Sequence, residues 1–270
     1  MKNKGYVALL DVLGFSALVS SDSNGEKIAA YVSKIESIVN KHHQTSPSKK
    51  IEFVIFSDSI VLTTDSDEDA LRELITLCSK LLYEMLCDEI ALRGCISYGA
   101  YTRKNTAAGT FVAGRAIIDA YQFETKQNWV GIMLSPTVIR QVPDLKDRCG
   151  LPQPHRKDDP HGLRNLPWGA FVQPHAAIPF HTASPFEDSG YGGFAILPSN
   201  GDLSNLQDYL TSLRTSMEKL QILKSFAPDP AAQKKYKNTE DWLSNTSMLW
   251  AANSIQSIQT AIQQGLLSWP

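Results

Sequence analysis

The stretch that most constrains this chain is an apolar run that ends in a carboxylate. Tyr6-Val-Ala-Leu-Leu10 leads into Asp11, and Val12-Leu-Gly14-Phe-Ser16 follow at once. An unbroken run of this kind reads as a strand buried on both faces. A buried strand does not tolerate a carboxylate at its end without a partner or a cation. Gly14 permits a sharp backbone turn, and the Ser16 hydroxyl and neighbouring N–H groups fall where a helix can begin. The stretch therefore reads either as a phosphate cradle beside a metal-binding carboxylate or as a strand end whose Asp caps a turn.

With 270 residues the chain can build one large domain or a domain with an appendage. A formal net charge of −2 leaves no basic field for nucleic acid and no polybasic signal for a membrane surface. The first residues, Met1-Lys-Asn-Lys, pass directly into the strand pattern without the features of a signal peptide. No run has the ~18 apolar residues that a membrane span requires. Cys78, Cys87, Cys95 and Cys149 contain no Cys-x-x-Cys pair. They are read as reduced thiols of a cytoplasmic protein.

Along the chain, Asp22-Ser-Asn-Gly25 is a turn or helix-cap cluster, and Ile28, Tyr31, Val32, Ile35, Ile38 and Val39 repeat at helical spacing up to about His42. Ile51–Phe56 and Ile60–Thr64 flank Ser57-Asp58-Ser59, which predicts a hairpin with Asp58 at its tip. Leu71 to Leu86 carries a wide apolar face within a helix from Asp67 to about Asp88, its first turn acidic. Ala91–Tyr101 reads as a strand, Arg103–Thr106 as a turn, and Thr110–Ala113 as a strand. A helix over Arg115–Glu124 follows, then a strand over Trp129–Leu134 and a helix opening at Ser135-Pro136. This order predicts an α+β sandwich, a mixed or antiparallel sheet covered by helices.

Composition changes after Val142. Residues 143–190 are rich in proline and polar residues and read as a loop-rich arm with one strand at Gly169–Gln173. Residues 191–270 add a last strand at Tyr191–Leu197 and a C-terminal helical extension of two helices, Leu203–Phe226 and Asn238–Leu267, parted by Pro228-Asp-Pro230. Trp242, Leu249 and Trp250 mark the second helix as core or dimer contact. Residues 1–142 would then form the core that carries any chemistry.

The chemical signal is the pair Asp11 and Asp58, 47 residues apart, the first at a strand end and the second at a hairpin tip. If the first strand lies beside the hairpin, both reach one edge of the sheet. Two carboxylates with open positions suit Mg²⁺ or Mn²⁺, and two such ions can assist an in-line phosphoryl displacement. Other chemistries lack their signatures. There is no Gly-x-Ser-x-Gly elbow, no Gly-x-x-x-x-Gly-Lys loop and no Gly-x-Gly-x-x-Gly. His42-His43 suit a helix C-terminus. His155, His161, His175 and His181 lack the spacing of zinc ligands.

The same residues resemble class III nucleotide cyclases. Asp11-Val-Leu-Gly-Phe-Ser16 is similar to the Asp-Ile-x-Gly-Phe-Thr/Ser opening of that family, and Phe56-Ser-Asp58-Ser-Ile to its metal-binding turn, with Ser57 where Gly is common. Leu92-Arg-Gly-Cys-Ile-Ser-Tyr-Gly99 resembles its later Arg-x-Gly strand, and Gly114–Glu124 the helix that follows. The resemblance covers residues 5–140. The variants, together with the C-terminal extension, are most similar to bacterial pyrimidine cyclases of the Pycsar anti-phage system. These are homodimers that convert UTP or CTP to the 3′,5′-cyclic monophosphate. The resemblance implies metal binding by Asp11, Asp58 and the Val12 carbonyl, with two Mg²⁺ or Mn²⁺ ions. It implies triphosphate binding by the N–H groups of Leu13, Gly14, Phe15 and Ser16 at the start of the first long helix. It also implies a homodimer with the site at the interface.

The departures narrow the substrate. The positions of the transition-state Asn and Arg hold Ile118 and Gln122. The purine-reading positions hold Val54 and either Phe111 or Val112. ATP and GTP are therefore not expected; the resemblance implies UTP or CTP, with UTP taken first. The missing guanidinium must come from Arg93, Arg103 or Arg115, with Arg93 and Arg103 placed as catalytic and Arg115 as nucleotide-binding. Two other readings stay open, a cyclase-like domain that binds nucleotide without turnover and a structural interaction module.

Overall fold

A computed structural model describes residues 3–45, 51–107, 109–142, 172–174, 194–199 and 206–263. Its centre is β1 (Asn3–Leu13). This strand lies between β3 (Ser59–Thr64) and β4 (Ala91–Thr106), antiparallel to both. β2 (Glu52–Phe56) pairs with β3 at one edge. Beyond β4 come β6 (Gly131–Leu134), β8 (Phe194–Ile196) and β7 (Val172–Pro174), while β5 (Gly109–Gly114) pairs with the distal part of β4. Every pairing is antiparallel except β4 with β6, which is parallel. The protein is thus α+β with a mixed sheet, as the element order predicts.

Alternation along β1 assigns its two faces. Tyr6, Ala8, Leu10 and Val12 join the main core, with α2 (Glu26–Thr45) and α3 (Glu68–Cys87) covering that side. On α3, Leu71, Leu74, Cys78, Leu81, Leu82 and Met85 are buried, which is the wide apolar stripe of its sequence. Asp67 caps the helix by accepting a 3.0 Å bond from Ala70 N–H. The opposite face holds a smaller cluster of Val7, Tyr101 and Ala116, contributed by β1, β4 and α4 (Arg115–Glu124). There Ser97 Oγ donates to the Ala116 carbonyl at 2.5 Å.

The remaining helices are α1 (Phe15–Ser20), α5 (Pro136–Gln141), α6 (Leu206–Phe226) and α7 (Pro230–Gln263). α6 packs on α3 and on α7. No helix among the described residues is long and apolar enough to cross a membrane. Cys78, Cys87 and Cys95 are free thiols, and burial pushes the Cys78 and Cys95 thiols up. Most of the 143–190 segment, with Cys149 and four histidines, lies outside the described residues.

Three expectations need correction. Arg103–Thr106 is not a turn. β4 continues through it in an antiparallel ladder with β5, Arg103 opposite Val112 and Thr106 opposite Gly109, and the reversal falls at Gly109, whose φ is 136°. The last helix begins at Pro230 rather than Asn238. Asp229 caps it by accepting from Ala232 N–H at 2.8 Å, and Pro230 sits at the first helical position. Finally, the Gly14 loop opens into the short α1, not a long helix; α2 starts only after Asp22 has accepted bonds from the Lys27 and Ile28 N–H groups.

Candidate functional site

Asp11 and Asp58 meet at the C-terminal end of β1. Ser57 and Asp58 form the two-residue turn between β2 and β3, with Ser57 in the left-handed region at φ 56°. That turn is fastened to β1 by a 3.0 Å bond from Val12 N–H to the Asp58 carbonyl, and Asp11 lies opposite Ser59 in the ladder. The two carboxylates are close enough that Asp58 helps to push the Asp11 carboxyl above the usual range. Burial is the larger cause, and the Arg93 guanidinium opposes both.

Arg93 is the ladder partner of Asp11 on β4, so both side chains leave the same face. Its Nη2 lies 3.5 Å from Asp11 Oδ2, and its Nε lies 2.5 Å from Glu124 Oε1. Glu124 ends α4 and is 3% exposed. Burial raises its carboxyl above the usual range, with Arg93 opposing that shift and Asp11 adding to it. The guanidinium thus ties the strand carboxylate to the helix that crosses this face. Sequence reasoning missed Glu124. Its signal was a carboxylate on the inward stripe of α4, in line with Ala116 and Ala120.

The other expected residues divide. Leu13 remains in the β1 ladder opposite Ala91. Gly14 turns the chain at φ 78° and, lacking a side chain, leaves the first N–H groups of α1 at Phe15 and Ser16 uncapped. Phe15 packs on Tyr31, ring centroids 5.7 Å apart. The Tyr31 hydroxyl is buried without a hydrogen-bond partner among the described residues, and its pKa is raised by burial and then by Asp58 and Asp11. That orphaned hydroxyl near both carboxylates is a second feature the sequence hid, since Tyr31 reads there only as one of an apolar stripe.

Arg103 and Arg115 do not join this group within one chain. Arg103 lies ten residues beyond Arg93 on the same strand, roughly 30 Å along it, and its Nε is 3.3 Å from Glu52 Oε2. Arg115 follows Gly114, which pairs with Tyr101 at the same distal end, and its Nε contacts Asp119 at 2.8 Å.

As a cation site the end of β1 offers two carboxylates. No cluster of three or more His, Cys, Asp or Glu forms among the described residues. A carboxylate that burial makes costly to ionise, with a second one on the adjoining turn, fits a hard divalent cation, which takes its remaining ligands from water and phosphate. The donor set fits Mg²⁺ or Mn²⁺ and no softer metal.

One wall of the site comes from the C-terminal helices. A cavity of about 170 Å³ is lined by Leu13 and Gly14 on one side and by Pro228, Ala232, Lys235 and Tyr236 on the other. Lys235 lowers the carboxyls of both Asp11 and Glu124.

Large apolar side chains are exposed at both ends of this face. Phe56 beside the Asp58 turn is 79% exposed, Phe111 on β5 58%, and Ile118 and Tyr121 on the outer stripe of α4 51% and 57%.

No family model and no curated protein matches the chain. Among solved structures it is similar to the non-canonical dimeric guanylyl cyclase domain of the RhoGC fusion protein from the aquatic fungus Blastocladiella emersonii. That match has 15% identity and a TM-score of 0.44, over 53% of this chain and 86% of that one. It is also similar to the catalytic core of a rhodopsin-guanylyl cyclase with converted specificity in complex with ATPalphaS, at 12% identity and TM-score 0.46 over 73% and 97%. A class III adenylyl cyclase-like ATP-binding protein from Pseudomonas aeruginosa matches at 16% identity and TM-score 0.37 over 52% and 35%.

Proposed function

We propose that this protein is a metal-dependent nucleotide cyclase that converts UTP to 3′,5′-cyclic UMP and pyrophosphate. CTP is the alternative substrate. The observation that supports the reading is the Val12–Asp58 backbone bond, which brings the Asp58 turn against the end of β1 that carries Asp11, next to a glycine-turned loop. The motifs at Asp11–Ser16, Phe56–Ile60 and Leu92–Gly99 support the cyclase class. Their Pycsar-like form supports a second-messenger role in anti-phage defence.

Asp11, Asp58 and the Val12 carbonyl would hold two Mg²⁺ or Mn²⁺ ions, which when bound lower the pKa of the ribose 3′-hydroxyl and neutralise the leaving pyrophosphate. The protein's own residues do the rest. Arg93, braced by Glu124, fixes the Asp11 carboxylate in its rotamer. The N–H groups of Gly14, Phe15 and Ser16 face the β- and γ-phosphates across the turn that Gly14 makes. The 3′-oxygen attacks the α-phosphorus, its proton passing to solvent. The bond from that phosphorus to the bridging oxygen breaks, and its electron pair leaves on pyrophosphate.

Base choice follows from what the pocket lacks. By the resemblance the purine-reading positions hold Val54, which is apolar and paired with Val61, and Phe111 or Val112. Nothing at these positions rewards a purine edge. The exposed Phe56, Phe111, Ile118 and Tyr121 supply the apolar surface for a homodimer that closes the site. Arg103 and Arg115 enter the chemistry only from a second copy. Incubating the protein with each ribonucleoside triphosphate and Mn²⁺, with mass analysis of products, tests the reading. Cyclic UMP or cyclic CMP supports it, whereas cyclic AMP alone or no cyclic product overturns it.

A further inference from the structure

The inward face of α7 holds one residue that its surroundings do not explain. Ala232, Tyr236, Thr239, Trp242, Leu243 and Thr246 recur at helical spacing. The last four of these are buried. This stripe is docked firmly. The Thr239 hydroxyl accepts from Val130 N–H at 2.7 Å, Asn238 Nδ2 donates to the Asn128 carbonyl at 2.7 Å, and Trp242 meets Trp129 edge-on at 5.7 Å. Lys235 sits one turn before Thr239 on the same face, a partly buried cationic residue in an otherwise apolar or hydroxyl stripe. Among the described residues it forms no ion pair. It lines the cavity whose opposite wall is Leu13 and Gly14.

A lysine that lines a cavity and has no ion-pair partner within salt-bridge distance among the described residues can receive an anion there. Across this cavity lies the Gly14 turn, whose N–H groups the proposed function assigns to the triphosphate. We infer that Lys235 receives the β- and γ-phosphates of the nucleotide, and afterwards pyrophosphate. The C-terminal helical hairpin would then deliver, in the same chain, the positive charge that α4 lacks at Gln122. This rests on the reading of the β1 end as a triphosphate site. The two helices after Phe194–Ile196 then complete the site as well as covering the sheet, and they give it a cation from its own chain, where Arg103 and Arg115 lie too far away.

The test uses the full chain with Mn²⁺ and inorganic pyrophosphate as the probe, measured by calorimetry, with thermal melting as a check on folding. Lys235→Met keeps the length of the side chain and its apolar stem. It is expected to weaken pyrophosphate binding by about 10-fold or more, the value of a charge-assisted hydrogen bond, while the melting temperature holds. Lys235→Arg is expected to bind within a few-fold of the parent. Affinity for UMP should not change in either variant. The inference is overturned if the parent binds no pyrophosphate, or if Lys235→Met binds it as well as the parent does. Cyclase assays of the same proteins separate this inference from the functional reading. Cyclic product formed equally by parent and Lys235→Met sinks the role of Lys235 and leaves the cyclase standing. Lys235-dependent pyrophosphate binding without cyclic product from any triphosphate does the reverse.

Discussion

Replacing Arg93 by Met removes the guanidinium that contacts both Asp11 and Glu124. The guanidinium is 3.5 Å from the first carboxylate and 2.5 Å from the second. Glu124 is 3% exposed and Arg93 has a side chain only 14% exposed, so solvent screens this pair little. Taking one partner from a buried pair leaves the other as an uncompensated charge, at a cost of about 3–5 kcal/mol. Methionine keeps most of the apolar contact, so cavity formation adds little. Urea unfolding at neutral pH should therefore show a loss within that range with an unchanged slope. Adding Glu124→Gln should return most of it, since the amide carries no charge to strand. Acid should narrow the gap between Arg93→Met and the parent, because Glu124 becomes neutral there. A loss below about 1 kcal/mol, or no recovery in the double variant, would refute the view that this pair is a buried electrostatic brace.

Further consequences bear on the turn, the carboxylates, the dimer face and the helical hairpin. Gly14→Ala meets nothing within 4 Å but must hold φ 78°, so it should cost about 1–2 kcal/mol in denaturant titrations and cut cyclisation more deeply than stability. The folded-state pKa of Asp11 is raised, so its contribution to stability is present below the unfolded pKa and lost as pH rises through the folded one. Asp11→Asn should consequently melt higher than the parent at neutral pH, melt level with it in acid, and make no cyclic product. Phe56→Asp combined with Tyr121→Asp should leave the melting temperature within a few degrees, while light scattering shows monomers and activity falls. Trp242→Ala removes a buried indole packed on Trp129 and should cost about 3–5 kcal/mol in the same unfolding assay.

Residues whose roles follow from local pattern were legible in the sequence. Asp11 could be placed at a strand end because five uncharged residues precede it, and Asp58 at a hairpin tip because two β-rich runs flank it. That the two share an edge needed one further fact, the order β2-β3-β1-β4, which no local pattern states. The arginines show the same limit. Arg93, Arg103 and Arg115 look alike in sequence, yet the run of β4 to Thr106 carries Arg103 to the far end, and Gly114 starts α4 there as well. Glu124 and Lys235 escaped notice because each is a charge on a helix stripe, which reads as solvated until packing shows which way the stripe faces. The Pro228-Asp-Pro230 signal was read as a break between helices, whereas Asp229 and Pro230 begin the second one and bring Lys235 into its second turn.

The claim on which the rest depends is that Asp11 and Asp58 jointly hold divalent cations at the nucleotide. Electron paramagnetic resonance of free Mn²⁺, in the presence of 3′-deoxy-UTP, which cannot cyclise, measures this directly. The account predicts two Mn²⁺ bound per chain, with binding lost on replacing either Asp11 or Asp58 by Asn in a chain that still melts cooperatively. Unchanged Mn²⁺ binding in either variant would contradict it.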